Sequence, residues 1–208
     1  AAQVGVLTTV RNSGAAGSTL TVKTDILAPD GKVCASDEAE MEVPGNASRE
    51  VRQAIKVSKP FLWSLERPSL YTAVTTLKRD GKAQDVYETS FGIRSFYFDS
   101  LKGFFLNGKK VKINGVCNHH DLGCLGAAVN ARAIERQLEI LREMGCNGIR
   151  TSHNPPAPEL IALCDRMGFI VMDEAFDMWE KKKSPFDYAL YWHEWHEKDL
   201  QDMVRRDR

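Results

Sequence analysis

At 208 residues, 43% hydrophobic and 27% charged, the chain has the composition of an ordinary globular protein, long enough for one large domain or two small ones. Its 28 basic and 28 acidic residues cancel to zero net charge, so nothing favours a polyanionic partner and no nucleic acid is expected; the basic run Lys181 to Lys183 reads as a solvated loop. No apolar run reaches the roughly 18 residues needed to span a bilayer, and the opening "AAQVGVLTTV" has no charged stretch followed by an apolar one, so no membrane partner is expected.

Residues 1 to 98 read at period two. In "STLTVKTDIL", Leu20, Val22 and Ile26 alternate with Thr21, Lys23 and Asp25, the pattern of a strand buried on one face. The alternation returns in "EAEMEV" and "VRQAIKV", and turn signals fall between the runs at "PDG", "PGN" and "RDG". Roughly seven short strands without a helix predict an antiparallel β-sandwich of the immunoglobulin type. The Cys-Trp-Cys spacing of antibody domains is absent.

From residue 99 to 208 a different architecture is expected. The stretch "FFLNGKKVKI" predicts a hairpin turning at Asn107 and Gly108, its second arm running on into "KINGV". In "NARAIERQLEILREMG", Ile134, Leu138, Leu141 and Met144 recur at helical spacing, with Asn130 placed to cap the start and Gly145 the end. Then come "NGIR", a helix over "PELIALCDRMG" with Pro158 in its first turn, the apolar run "FIVMDE", and a last amphipathic helix over "YWHEWHEKDLQDMVRRDR". Strand, helix, strand, helix, strand predicts right-handed crossovers in a parallel sheet. A (β/α)8 barrel takes roughly 200 to 250 residues and this half has about 105, so it is expected to be a small open sheet or the first part of a barrel.

In parallel sheets chemistry collects at the carboxyl ends of the strands. Those ends read "GVCNHHD", "IRTSHNPP" and "VMDEAFD", which brings His119, His120, Asp121, Arg150, His153, Asn154, Asp173, Glu174 and Asp177 to one rim. Simpler roles compete at several of them. Asp121 and Asp177 also suit loop hydrogen bonding or helix capping. One of Asp173 and Glu174 is expected to face inward, where an unpaired carboxylate is costly, so a partner such as Arg150 is required; a structural ion pair and a site role are both open for it. His119 and His120 are adjacent, so only one of them is expected to face the site.

Other chemistries find little support. "HEWHE" at His193 to Glu197 spaces its histidines at i, i+3 rather than the i, i+4 of a zinc helix, and no phosphate loop, dinucleotide fingerprint or nucleophile elbow occurs. The five cysteines, Cys34, Cys117, Cys124, Cys146 and Cys164, are odd in number and contain no C-x-x-C pair; they read as small apolar fillers. A rim of imidazole, guanidinium, amide and carboxylate with Phe176 and Trp179 nearby suits a sugar, whose hydroxyls pair with such groups and whose C–H faces stack on rings.

The stretch "NGIRTSHNPPAPELIALCDRMGFIVMDE", Asn147 to Glu174, closely resembles the signature of glycoside hydrolase family 2, the family of β-galactosidases, β-glucuronidases and β-mannosidases. Asn147, Arg150, Ser152, His153, Pro155, Asp165 and Gly168 fall at the signature spacing; the family usually has Tyr where this chain has Asn154. "FFLNGKKVKINGVCNHHD" resembles the family's barrel entry, and "FLWSLERPSLYT" and "ETSFGIRSF" its immunoglobulin-like second domain. The resemblance implies a multidomain β plus α/β chain: an immunoglobulin-like sandwich followed by the first β/α units of an incomplete TIM barrel. It implies part of a retaining β-glycosidase acting on terminal β-galactosides, with an acid/base and a nucleophilic glutamate downstream of Arg208 and a jelly-roll domain upstream, so the 208 residues are expected to be inactive alone. His119 and His153 would hydrogen-bond sugar hydroxyls, Arg150 would brace the nucleophile, and Asp173 and Glu174 match the "DE" ending the third strand. Asp121, in "HHDLG", is nearer to galactosidase wording. Asn154 joins these as a substrate-binding residue. Met178 stands where the best-known β-galactosidases ligate magnesium, so no metal or other cofactor is expected here, with a divalent metal left open for the parent enzyme. The expected partner is a β-linked saccharide, with a homo-oligomer open for the parent enzyme and a periplasmic or extracellular location. β-Glucuronidase or β-mannosidase activity, or a noncatalytic carbohydrate-binding module, are the alternatives. A half barrel should also expose a sheet edge and apolar helix surface, so self-association or partial disorder of that half is expected.

Overall fold

The computed structural model describes residues 1–207, which divide into two units, Ala1–Ser95 and Phe96–Arg208, with Arg208 itself outside the described residues. In the first unit β1 (Ala2–Asn12) pairs antiparallel with β4 (Ala47–Val57). β2 (Ser18–Leu27), β3 (Val33–Val43), β5 (Leu70–Arg79) and β6 (Lys82–Gly92) form a second antiparallel sheet in the order β3-β2-β5-β6. The period-two pattern explains the sandwich directly. Ile26, Tyr71 and Ala73 of one sheet pack against Ile55 and Val57 of the other, all at 5% exposure or less. Val10, Leu20, Val22 and Val43 form a second buried cluster. Thr24 is fully buried, and its Oγ1 donates to Gln53 Oε1 at 2.7 Å and lies 3.1 Å from Thr75 Oγ1, so a satisfied hydrogen bond crosses between the sheets.

The loop before β5 is fastened by Trp63, 2% exposed, whose N–H donates to Ile93 O and whose ring faces the Arg94 guanidinium at 4.8 Å. A side chain at Gly92 would come within 3.0 Å of Trp63 Cβ, so glycine is the residue that lets this ring pack. Six strands belong to this unit rather than the expected seven, because the next run, β7 (Phe96–Asp99), finds its partner in β8 (Gly103–Leu106) of the second unit.

In the second unit β8 turns at Asn107 and Gly108, both at positive φ, into β9 (Lys109–Lys110), the left-handed pair that a two-residue hairpin needs. The arm stops there instead of running on. β10 (Gly115–Asn118) belongs to a separate parallel sheet of order β10-β11-β12, with β11 at Gly148–Thr151 and β12 at Ile170–Met172. Helices α1 (Ala131–Glu143) and α2 (Pro158–Met167) make the crossovers, and α3 (Trp192–Asp207) follows. Asn130 caps α1 by accepting from Ala133 N, and Gly168 ends α2 in the left-handed conformation at φ 75. Ile134, Leu138, Ile149, Leu163, Cys164 and Phe169 bury the helices against the sheet.

Asn147 binds the amino-terminal ends of these strands together. Its Oδ1 accepts from Asn114 N, its Nδ2 donates to Lys112 O, and its carbonyl accepts from Ile170 N. The cysteines divide. Cys164 is buried and Cys146 half-buried, as fillers are, but Cys34, Cys117 and Cys124 are exposed, contrary to that reading. Cys34 lies in a strand that presents most of its residues to solvent, and Cys124 in an exposed single turn of 3-10 helix, Gly123–Leu125.

Candidate functional site

β10, β11 and β12 run side by side and in register, so the residues that follow Asn118, Thr151 and Met172 leave the sheet together at its carboxyl edge. The ring centroids of His119 and His153 lie 5.4 Å apart with planes crossing at 87°. His120 lies exposed beside them.

His153 Nδ1 is 3.1 Å from Glu174 Oε2, and Glu174 Oε1 is 3.1 Å from Arg150 Nε. The Arg150 Nε–H makes no hydrogen bond, so its contact with Glu174 is a charge pair, while Nη2 donates to Ser152 Oγ at 3.2 Å. A carboxylate only accepts, so in the neutral ring this partner places the proton on Nδ1 and leaves Nε2 as an acceptor. The side chains of Arg150, His153 and Glu174 are 26–39% exposed, which leaves them braced and still within reach of a solute. Glu174, not Asp173, is thus the carboxylate partner of Arg150.

The placement of Glu174 depends on Thr151. This residue is 3% exposed, its hydroxyl donates to Asp173 Oδ1 at 3.1 Å and accepts from Glu174 N at 3.0 Å. The strand ends at Met172, so Asp173 and Glu174 stand outside it, and the Thr151 hydroxyl serves as the acceptor that a further rung of the ladder would have supplied.

Asp173 turns to α3 instead. Its pKa is raised to about 6: burial is the main cause, a hydrogen bond with Asp207 adds to it, and the Thr151 hydroxyl opposes both. Its Oδ2 is buried and accepts from no protein donor, and in its protonated form Asp173 has the donor that the Asp207 carboxylate accepts. Burial would raise Asp207 as well, but hydrogen bonds from Arg206 and Asp173 outweigh it and hold that group below the usual carboxylate range. Arg206 also donates to Pro156 O at 2.8 Å, so the end of α3 is anchored to the loop after β11.

Four sequence-predicted residues, His119, Arg150, His153 and Glu174, therefore meet in one cluster. Asp121 Oδ1 accepts from Gly123 N at 2.8 Å in a local turn, and Asp177 pairs with Lys183 at 3.2 Å. Asn154 lies exposed at the mouth. His119, His120, Asp121 and Asn154 also border a cavity of about 50 Å³, enough for water but not for a sugar ring. Sequence reading missed Thr151, Arg206 and Asp207. The first sits inside the quoted strand end and could have been suspected from its hydroxyl; the other two are joined to the site only by long-range contacts. Among the described residues no three His, Cys, Asp or Glu side chains are grouped to hold a metal ion.

Comparison with known proteins gives matches along both units. The family description "Glycosyl hydrolases family 2" fits residues 1–94, and "Glycosyl hydrolases family 2, TIM barrel domain" fits residues 100–203. The chain is 54% identical over 207 residues to beta-galactosidase BoGH2A of Bacteroides ovatus, covering 100% of this chain and 24% of that protein. It is 33% identical over 156 residues to a beta-glucuronidase of Bacteroides fragilis, covering 74% of this chain and 22% of the relative. Among solved structures, a glycosyl hydrolase family 2 member from Bacteroides cellulosilyticus superposes with a TM-score of 0.93 at 40% identity, over 99% of this chain and 27% of the other. Bacteroides uniformis beta-glucuronidase 2, covalently bound to cyclophellitol-6-carboxylate aziridine, superposes at 0.84 and 28% identity, over 98% and 24%. The chain thus spans about a quarter of the length of the relatives it matches.

Proposed function

The chain belongs to glycosyl hydrolase family 2, and from that premise we propose that it supplies the sugar-holding rim of a retaining β-glycosidase that releases terminal β-galactosyl residues. The observation that carries the reading is the cluster of His119, His153, Arg150 and Glu174 at the carboxyl edge of the parallel sheet. The two imidazoles offer ring nitrogens to the hydroxyls of a terminal sugar, and Glu174 fixes the aim of His153. Arg150, half-buried and paired with Glu174, carries positive charge at the mouth, where it favours the ionised form of a carboxylate brought near it. Asp121 and Asn154 stand at the periphery of the same rim, while Asp173, bonded to Thr151 and turned to α3, is withdrawn from it. Retention needs two carboxyl groups about 5 to 5.5 Å apart, one protonating the leaving oxygen and one attacking the anomeric carbon. We assign both to parts of a longer polypeptide beyond this chain, so that these 208 residues bind without catalysing.

The β-galactosidase at 54% identity favours a galactoside; a glucuronidase is the second reading, favoured by relatives of that name at lower identity. The test is product analysis by proton NMR of the full-length protein on a panel of β-glycosides. Galactose is expected as the product, appearing first as the β-anomer, with glucuronides left intact. Glu174→Gln, which removes the charge facing Arg150 and leaves one acceptor oxygen and a donor amide where two acceptors served His153 and Arg150, is expected to lower kcat/KM about 10- to 100-fold. Inverted product, or turnover by the 208-residue chain alone, would defeat the reading.

A further inference from the structure

Beside the His153–Glu174 cluster lies a second concavity, of about 220 Å³, that no role has yet been given. One wall is Asn154 and Pro155, the residues directly after His153; the other is Ala175 and Phe176, directly after Glu174; Tyr188 and Asp199 complete it. A molecule in this cleft therefore abuts whatever His153 and Glu174 hold.

The lining is built in advance. Phe176 stacks on Tyr188 at 4.6 Å and 19°, and Trp192 meets Phe176 edge-on at 78°. Tyr188 donates its hydroxyl proton to Asp199 Oδ2 at 2.6 Å, while Asp199 Oδ1 has no protein partner among the described residues and is left to accept. From the same aromatic group Trp179 stacks on Trp192 at 5.4 Å and 15°, and Trp192 on His196 at 4.5 Å and 14°. Trp179 is nevertheless 64% exposed, an ordered indole with a face left to solvent. The loop that carries these rings is tied by Lys183 to Asp177 and by backbone N–H groups of Lys183 and Ser184 to Asp187.

Flat aromatic faces beside a carboxylate acceptor and an amide form the surface that a pyranose fits, with its C–H face on the rings and its hydroxyls on the polar groups. A terminal sugar has a single neighbour in its chain, the unit it is linked to. Building on the glycosidase reading above, we propose that this cleft is a saccharide subsite for the leaving group, with Phe176, Tyr188 and Asp199 receiving the adjacent sugar and Trp179 extending the platform to the next. The substrate class is then an oligosaccharide or polysaccharide side chain ending in a β-linked sugar, rather than a glycoside of a small alcohol.

The experiment compares Trp179→Ala and Asp199→Asn with the unmodified full-length protein on two donors, lactose and β-galactosyl fluoride, whose leaving group is too small to occupy the cleft. Both variants spare the fold, the first because its ring is exposed and the second because it keeps the acceptor for Tyr188. The expected result is an about tenfold loss of kcat/KM on lactose, with the fluoride unchanged. Equal losses on both donors, or none on lactose, overturn the assignment. If the unmodified protein hydrolyses neither donor, the glycosidase reading falls, and the cleft is judged by tryptophan fluorescence titrated with lactose. A change that Trp179→Ala abolishes supports the subsite; its absence overturns it.

Discussion

Asp173 and Glu174 are neighbours in sequence with opposite surroundings: Glu174 faces two nitrogen partners, and Asp173 faces another carboxyl group. Because the folded-state pKa of Asp173 is raised to about 6 from 3.8, the native protein binds its proton more tightly than the unfolded chain does. That group's stabilisation is complete below pH 3.8 and is lost as pH rises through about 6. Asp207, held low, works the other way: its contribution is present above pH 3.8 and lost as pH falls through its depressed value, so the two windows do not coincide. Asp173→Asn, which keeps an acceptor for Thr151 and adds a permanent donor toward Asp207, is expected to stabilise the protein at pH 7.5 by on the order of 1 kcal/mol after solvent screening, with no gain at pH 3.5. Urea unfolding at the two pH values checks this; an equal shift at both would refute it. At this scale the sequence announced the histidines and the arginine, because a polar residue straight after a buried strand has few structural uses. It did not announce which carboxylate would pair with Arg150, since that depends on the Thr151 hydroxyl taking over the backbone N–H of Glu174.

The elements were legible wherever a local rule dominated. Helix α1 shows its apolar spacing, its Asn130 cap and its terminal glycine in the sequence, and all three are used. Asn130→Ala leaves the N–H of Ala133 without its acceptor and is expected to cost about 0.5 to 2 kcal/mol of stability, measured by chemical denaturation. A change below that range would mean that packing of Ile134 and Leu138 fixes the helix start by itself. Elements decided by partners were less legible. The strand Phe96–Asp99 alternates like any sandwich strand, but its hydrogen bonds go to Gly103–Leu106. The Thr24–Gln53 bond between the sheets is likewise invisible to a pattern that places both residues on the inward faces but does not say that they pair.

Across the whole chain, β10 and β12 each have one unpaired edge among the described residues, and α3 buries none of its side chains, leaving Leu200 and Val204 43% and 51% exposed. We propose that the 208-residue polypeptide covers these surfaces by self-association, expected as a weight-average mass that rises with concentration in sedimentation equilibrium. A monomer with complete amide protection in residues 96–207 would contradict it. The composition and the two periodicities were enough to separate a sandwich from a parallel sheet, whereas the surfaces that a larger protein would cover carry no local mark. The amide of Asn147 gives this sheet one more property. Together with the Asn147 backbone carbonyl it joins the starts of three strands that are only three or four residues long, so the tips that carry the histidines stand about 10 to 13 Å from it. Over so short a lever any tilt at the root arrives at the tip almost undamped, which makes the aim of the imidazoles a property of the far end of the sheet as much as of the residues around them.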